Sequence, residues 1–353
     1  MFLRNHWYVA AWSEDVGRTP TARIILGEAI VLFRTGDGGL VALVNRCPHR
    51  NLPLSEGNLI DSVIQCGYHG LEFGSDGVCV HVPGQDEVPD WARVKCYPVA
   101  EKHRWIFVWM GDPAEADESS LLEYPFRMVD PGWFTITGYQ VVSCGYRLIL
   151  DNLLDLSHLA YVHANTTGNT AVSENAALTT EVEEDSVRTS RWMENIEPAP
   201  AFTRFGHFSG NIDRWQVSQY LPPSFININN GANDAGSGAR GVEQLTSQGK
   251  WGFVVYHAMT PESVTTTHQF WAVSIPKHML SDADRDAFLA QMNSVIPEDT
   301  AVYEAQQVSI ELDPPAHNHD ANPSGTLPID RALTEMRRII RRLHRTELGA
   351  TAA

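Results

Sequence analysis

The chain has no long apolar run. Nothing in it approaches the roughly 18–20 consecutive apolar residues that a membrane-spanning helix requires, so no membrane partner is expected. Positive charge is also scarce. Lys and Arg number 26 against 43 Asp and Glu, a formal charge of −17. An acidic surface of this kind repels phosphate backbones and argues against nucleic acid as a partner. Cysteine is rare and odd in number, five in 353 residues, which does not suggest a disulfide scaffold and leaves metal ligation or burial. The opening "MFLRNHWYVAAW" has no charged n-region, long apolar h-region or small-residue cleavage site. A cytoplasmic protein is the expectation. No internal repeat is visible.

What is present is a globular composition, 43% apolar, in a chain long enough for two domains. The first ~115 residues read as short strands. "AIVLFRT", "GDGG" and "LVALVNRC" suggest a hairpin around a Gly-rich turn, and "RVKCYPVAEKHRWIFVWMGDP" suggests a second strand pair. The polar, acidic "GDPAEADESS" at 111–120 marks a boundary, giving domains 1–115 and 116–353. In the second domain, 133–146 reads as strand and 147–163 as helix. Further strands follow, and "NNGANDAGSGARG" (229–241) reads as a loop. From "SDADRDAFLAQMNSVI" onward the pattern is helical, with Ser281 as N-cap. The last helix carries arginines at 337, 338, 341, 342 and 345, a solvated face or a docking site for an acidic partner.

Two constellations carry chemistry. "CPHR" and "CGYHG" place Cys47, His49, Cys66 and His69 in two turns. A structural zinc site usually pairs Cys with Cys and His with His. Here each turn supplies one of each, which suits a Rieske [2Fe–2S] cluster, where one iron takes both thiolates and the other both imidazoles. The second is "DNLLDLSHLAYVH", 151–163. On a helix, Asn152, Asp155 and His158 share a face. His158 and His163 diverge by about 140°, so both reach one ion only if the helix ends or distorts near Tyr161. Two His and a carboxylate make the facial triad of non-haem Fe(II) oxygenases. Asp155 is better placed to hold an imidazole N–H than to ligate. The carboxylate then comes from "SVIPEDTAVYEAQQ", which offers Glu298, Asp299 and Glu304.

With "NHWYVAAW", "VPGQ", "VWMGDP", "DRWQ" and "EDTAVYEAQ" added to these blocks, the chain resembles the Rieske non-haem iron oxygenases. The branch is that of vanillate O-demethylase, toluenesulfonate methyl-monooxygenase and dicamba monooxygenase. The resemblance implies an α+β protein, an N-terminal all-β Rieske domain followed by a helix-grip-like catalytic domain with a curved antiparallel sheet and flanking helices. It implies His158, His163 and Asp299 as iron ligands, Asn152 beside the iron, and Asp155 as a bridge from His69 of the partner subunit to His158. It implies an α3 homotrimer fed from NAD(P)H by a ferredoxin or reductase. The expected reaction is O2-dependent O-demethylation of a methoxylated aromatic acid. Methyl hydroxylation and N-dealkylation begin with the same C–H attack. Asn227 and His257 match pocket positions of the branch and are expected to meet the substrate. The rival readings are a Rieske electron carrier and a structural zinc protein.

Overall fold

The computed structural model describes residues 2–237, 250–313 and 327–351. They form two compact units: Met1–Glu123 with Thr260–Ser263, and Tyr124–Met259 with Val264–Ala353.

The first unit is three antiparallel sheets. One joins β1 (Trp7–Trp12), β10 (Trp105–Trp109) and β9 (Val99–Lys102). A second joins β2 (Thr21–Ile25), β3 (Glu28–Arg34) and β4 (Leu40–Val44). The third joins β5 (Asn58–Ile60), β6 (Val63–Gln65), β7 (Glu72–Phe73) and β8 (Cys79–His81). Both hairpins read from the sequence, β3–β4 and β9–β10, are present. The run "IVLF" in β3 lacks polar alternation because both of its faces are covered. Ile30 and Leu32 face one core with Tyr8, Ile106 and Val108, while Val31 and Phe33 face another with Ile64, Leu71 and Phe73. Cys47 and Cys66 belong to that second core.

The second unit is a seven-stranded antiparallel sheet. Its order is β11 (Trp133–Val142), β17 (Thr267–Pro276), β16 (Trp251–Pro261), β15 (Phe225–Asp234), β14 (Ile212–Leu221), β13 (Val187–Ile196) and β12 (Ala177–Val182). Three longer helices accompany it: α1 (Tyr146–Leu154), α2 (Arg285–Leu312) and α3 (Arg331–Thr351). The sheet with its helices is the α+β arrangement expected. Helix α1 is pinned to the sheet where Ser218 Oγ on β14 donates to the Leu153 carbonyl, 2.6 Å. Gln307 on α2 accepts from the Gly145 N–H just before α1, 3.0 Å. The arginines of α3 are engaged within the unit: Arg337 with Asp151, Arg338 with Glu335, and Arg342 with Asp185.

Three local expectations need correction. The α-helix does not run through 163. It stops at Leu154, Asp155 turns extended, and a 3₁₀ turn covers Leu156–Ala160. The cause is Asp155, whose Oδ1 accepts from the Ser157 N–H at 3.0 Å, since a capping carboxylate favours starting a new turn over continuing the old one. Ser281 does not cap α2 directly; its hydroxyl bonds Asp284, and the helix begins at Arg285. Residues 229–234 are not loop but the end of β15, while 238–241 lie outside the described residues. Their Gly/Asn composition serves packing. The Trp215 ring crosses over Gly231, where a Cβ would meet Cζ2 at 2.1 Å, and the Trp215 indole N–H donates to Asn229 Oδ1 at 3.0 Å.

Gly231→Ala therefore forces that ring aside. The expected loss is about 1–3 kcal/mol, read as a lower denaturation midpoint. An unchanged midpoint would show that Trp215 yields without strain.

Candidate metal centres

Two near-identical loops carry the first site. In one, the Cys47 N–H donates to the Leu52 carbonyl and the Asn51 N–H returns to the Cys47 carbonyl, 2.8 and 2.9 Å. In the other, the Cys66 N–H donates to Leu71 and the Gly70 N–H returns to Cys66, 2.8 and 3.0 Å. Both loops turn through a left-handed residue at the same place, Asn51 at φ 62° and Gly70 at φ 75°, the region that Gly and Asn tolerate best. The symmetry brings like to like. Cys47 and Cys66 are buried, unbridged and in sulfur contact. The His49 and His69 rings lie 4.5 Å apart at the exposed edge. Tyr68 stacks on His69 at 3.8 Å, and Trp91 lies 6.5 Å from His49.

Burial pushes the Cys47 thiol up to about 11, the His49 backbone N–H pulls it back, and the Cys66 sulfur adds to the rise. A thiol buried like Cys47 is costly to ionise alone, and a metal stabilises it as the thiolate. Two buried sulfurs and two outer imidazoles are the donor set of a Rieske cluster, and the residues fit that group.

The second site is built by the break after α1. His158 sits on the 3₁₀ turn, and His163 in the turn that follows, so the 140° divergence of an ideal helix does not apply. Asp299 comes from α2. One ligand atom from each of the three lies within 4.8 Å of the others. Asp299 Oδ1 is 3.0 Å from His163 Nε2 and 3.5 Å from His158 Nε2. The opposite nitrogens are held in place: His163 Nδ1 by Glu298 Oε2, 2.6 Å, and His158 Nδ1 by the Asp155 carbonyl, 2.6 Å. Both Nε2 atoms therefore point at one spot, and the residues fit an iron facial triad. Burial lowers the pKa of His158 despite the Asp299 charge. Burial also opposes the proton on His163, but its bonds to Asp299 and Glu298 outweigh it and raise the pKa. Asn152 Nδ2 donates to Asp299 Oδ1 at 3.4 Å, and the Tyr303 hydroxyl to Asn152 Oδ1 at 3.5 Å.

The other expected residues fall in different places. The Asp155 carboxylate does not hold His158; its backbone carbonyl does. The carboxylate pairs with Arg191 Nη2 at 2.7 Å. Glu298 reaches the outer side of His163 rather than the ligand side. Glu304 accepts from the Ser143 N–H, 3.0 Å.

The triad lines a cavity with about 80 Å³ of water-accessible space, several times the roughly 10–15 Å³ that admits one water on this measure. Its wall is mostly apolar, including Leu153, Ile228, Phe253, Val255 and Met292. His257 lines it and is neutral, because burial pushes its pKa down to about 4 against the pull of Asp299. Asn227 does not line it. Strand faces alternate, and Ile228 and Asn230 are the β15 residues on the cavity side. The expectation chose the wrong asparagine by parity. Two further residues were missed, Glu298 as the partner of His163 and Arg214 on the cavity wall. The adjacent acids of "PED" were the only signal for the first, and "DRWQ" for the second.

Two outcomes follow from this geometry. Glu298→Gln weakens the hold on the His163 ring and is expected to cut iron affinity about 10–100-fold, read by chelator competition, with the cluster spectrum unchanged. Cys66→Ser is expected to remove the visible cluster spectrum. Purified protein should carry about three iron and two acid-labile sulfide per chain; zinc in their place would refute the cluster reading.

Comparison with known proteins bears on both sites. Residues 6–98 match the Rieske [2Fe-2S] domain family, and residues 142–346 match the vanillate O-demethylase oxygenase C-terminal domain family. The toluene-4-sulfonate monooxygenase system iron-sulfur subunit of Comamonas testosteroni is 33% identical over 100% of both chains. The vanillate O-demethylase oxygenase subunit of a Pseudomonas species is 34% identical over 100% of this chain and 98% of its own. A crystal structure of dicamba monooxygenase bound to dicamba superposes with a TM-score of 0.87 at 30% identity, covering 99% of each chain. No helix among the described residues is long and apolar enough to cross a membrane. With matched loops for a cluster, a His-His-Asp triad in an apolar cavity and full-length relatives of this kind, the chain belongs to the Rieske non-haem iron oxygenases, in the family of the vanillate O-demethylase oxygenase subunit.

Proposed function

We propose that the chain is the terminal oxygenase of a multicomponent monooxygenase that removes the methyl group of a methoxylated aromatic acid. The observation that carries this reading is the convergence of His158, His163 and Asp299 on an apolar cavity, in a chain that also holds the Cys47, His49, Cys66 and His69 loops. Residues 1–115 would bear the cluster and 116–353 the reaction site.

Bound at these two sites, the cluster and the iron supply one-electron transfer and activation of O2 for attack on a C–H bond. The chain's own residues do the rest. Glu298 and the Asp155 carbonyl fix the tautomers that leave both Nε2 atoms free to ligate. Tyr303, held as a neutral phenol by burial and by the Asp299 charge, donates to Asn152, which donates to Asp299 and orients it. The apolar wall holds an aromatic ring and keeps bulk water from the reacting carbon. His257 presents a neutral imidazole to the same space.

The overall reaction balances. A methyl aryl ether, O2, NAD(P)H and a proton give a phenol, formaldehyde, water and NAD(P)⁺. The hydroxylated methoxy carbon is a hemiacetal, which collapses without further oxidation. A separate reductase or ferredoxin would deliver the electrons, and the exposed His49 and His69 edge suits a partner's approach. A closed three-fold ring of identical chains in the cytoplasm is the assembly this reading carries.

The test supplies reductase, NADH and O2 with a panel of methoxylated aromatic acids. Formaldehyde and phenol in equal amounts from one of them are expected. No formaldehyde from the methoxylated acids, with an aryl-CH2OH product from a parallel panel of methylated aromatic acids, would move the reaction to methyl-group hydroxylation. His158→Ala is expected to abolish turnover and leave the cluster spectrum intact; retained turnover would remove the iron assignment.

A further inference from the structure

The cavity has a second pole. Arg214 on β14 is fully buried, 1% exposed, and lines the same cavity as the triad. One of its nitrogens is used: Nη2 donates to the Thr167 carbonyl at 2.8 Å. Its guanidinium lies 4.2 Å from the centre of the Phe202 ring, which covers one face. Nε and Nη1 are buried and have no hydrogen-bond partner, and no carboxylate pairs with Arg214 among the described residues. Every other cavity-lining side chain is apolar, neutral or part of the triad. A buried charge without a counter-ion is unfavourable, and burial pushes this guanidinium down to about 9. At neutral pH it remains a cation. Asn230, on the same sheet face, also lines the cavity with an unpartnered Oδ1.

We propose that Arg214 is the specificity-determining residue of this cavity: its unpartnered N–H groups hold the carboxylate or sulfonate of an aromatic acid by charge-assisted hydrogen bonds. Hydrogen bonds from a guanidinium to an oxyanion are shorter and stronger than those between neutral groups. A ring anchored there at one end lies along the apolar wall and presents its other end to His158 and His163. The inference deepens the reading given above, and rests on it for the identity of the reacting group. A purely structural role, holding the Thr167 segment, needs only Nη2. It leaves the Nε and Nη1 hydrogens without partners.

The experiment measures binding to the full holoprotein by calorimetry, without reductant. The probes are 4-methoxybenzoate, 4-methoxybenzenesulfonate and the neutral 4-methoxybenzamide. Wild type should prefer the two anions. Arg214→Met, which keeps length and removes charge, should lose roughly 10–100-fold in affinity for the anions and keep its affinity for the amide. Equal affinities of wild type for acid and amide, or unchanged anion binding in a folded Arg214→Met, would overturn the proposal. If Arg214→Met does not fold, Arg214→Lys retains a charge but not the planar guanidinium donors, and should bind the anions more weakly than wild type; undiminished binding would overturn it. Formaldehyde release separates this inference from the proposed reaction. Anion binding through Arg214 without formaldehyde upholds the residue and removes the O-demethylase reading. Formaldehyde from neutral ethers without any anion preference does the reverse.

Discussion

The reactive centre depends on two hydrogen bonds at the far sides of its histidines. The Asp155 carbonyl holds His158 and Glu298 holds His163, each at 2.6 Å. Those contacts choose the nitrogen that faces inward, and without them each ring is free to flip and the triad has no defined geometry. Most of the surrounding structure serves to place these two acceptors. The sheet holds α1 through Ser218, α1 ends at Asp155, and Arg191 with the Ser157 N–H fixes the turn that aims the carbonyl. On α2, Glu298 and Asp299 are consecutive and so project about 100° apart. They grip the His163 ring from its two nitrogens. Pro297, just before them, lies inside the helix and lacks the N–H that a helix rung would use.

The cluster loops work by a different constraint, local backbone closure. Each is shaped by its own two hydrogen bonds and one left-handed residue. That is why Cys47, His49, Cys66 and His69 were legible from sequence: the chemistry and the turn lie in the same five residues. The β3 hairpin was legible for the same reason, with its partner strand six residues away. Long-range facts were less so. The end of α1 was placed too late because a capping aspartate and a helical aspartate look alike in a sequence. Asn227 and Asn230 differ only in strand parity, which nothing short of the register decides. Arg214 sits in a strand where arginine ordinarily faces solvent, and only the assembled sheet shows that it does not. The Gly/Asn run was misread because the ring that needs Gly231 lies on another strand.

Electrostatics ties the two halves of the cavity together. A chain of net charge −17 repels the anions it is proposed to use. Within the cavity, though, the wall is apolar, His257 is neutral, and one guanidinium is present among the lining residues. In such low-dielectric surroundings a single cation acts at far greater strength than it would on a surface. Asp299 is the one carboxylate among the lining residues, and a metal held by the triad would neutralise it, which leaves Arg214 to orient a ligand with one acidic end. The relatives named for vanillate and toluene-4-sulfonate are named for anions.

Electrons held at the first site are spent on substrate at the second. The most direct test is a single turnover. Protein with both metals loaded is reduced, freed of reductant and reductase, and exposed to O2 with a methoxylated aromatic acid. The cluster is expected to reoxidise as phenol and formaldehyde appear in equal amounts. Reoxidation at the same rate with no product, with or without the acid, would contradict it and leave an electron carrier.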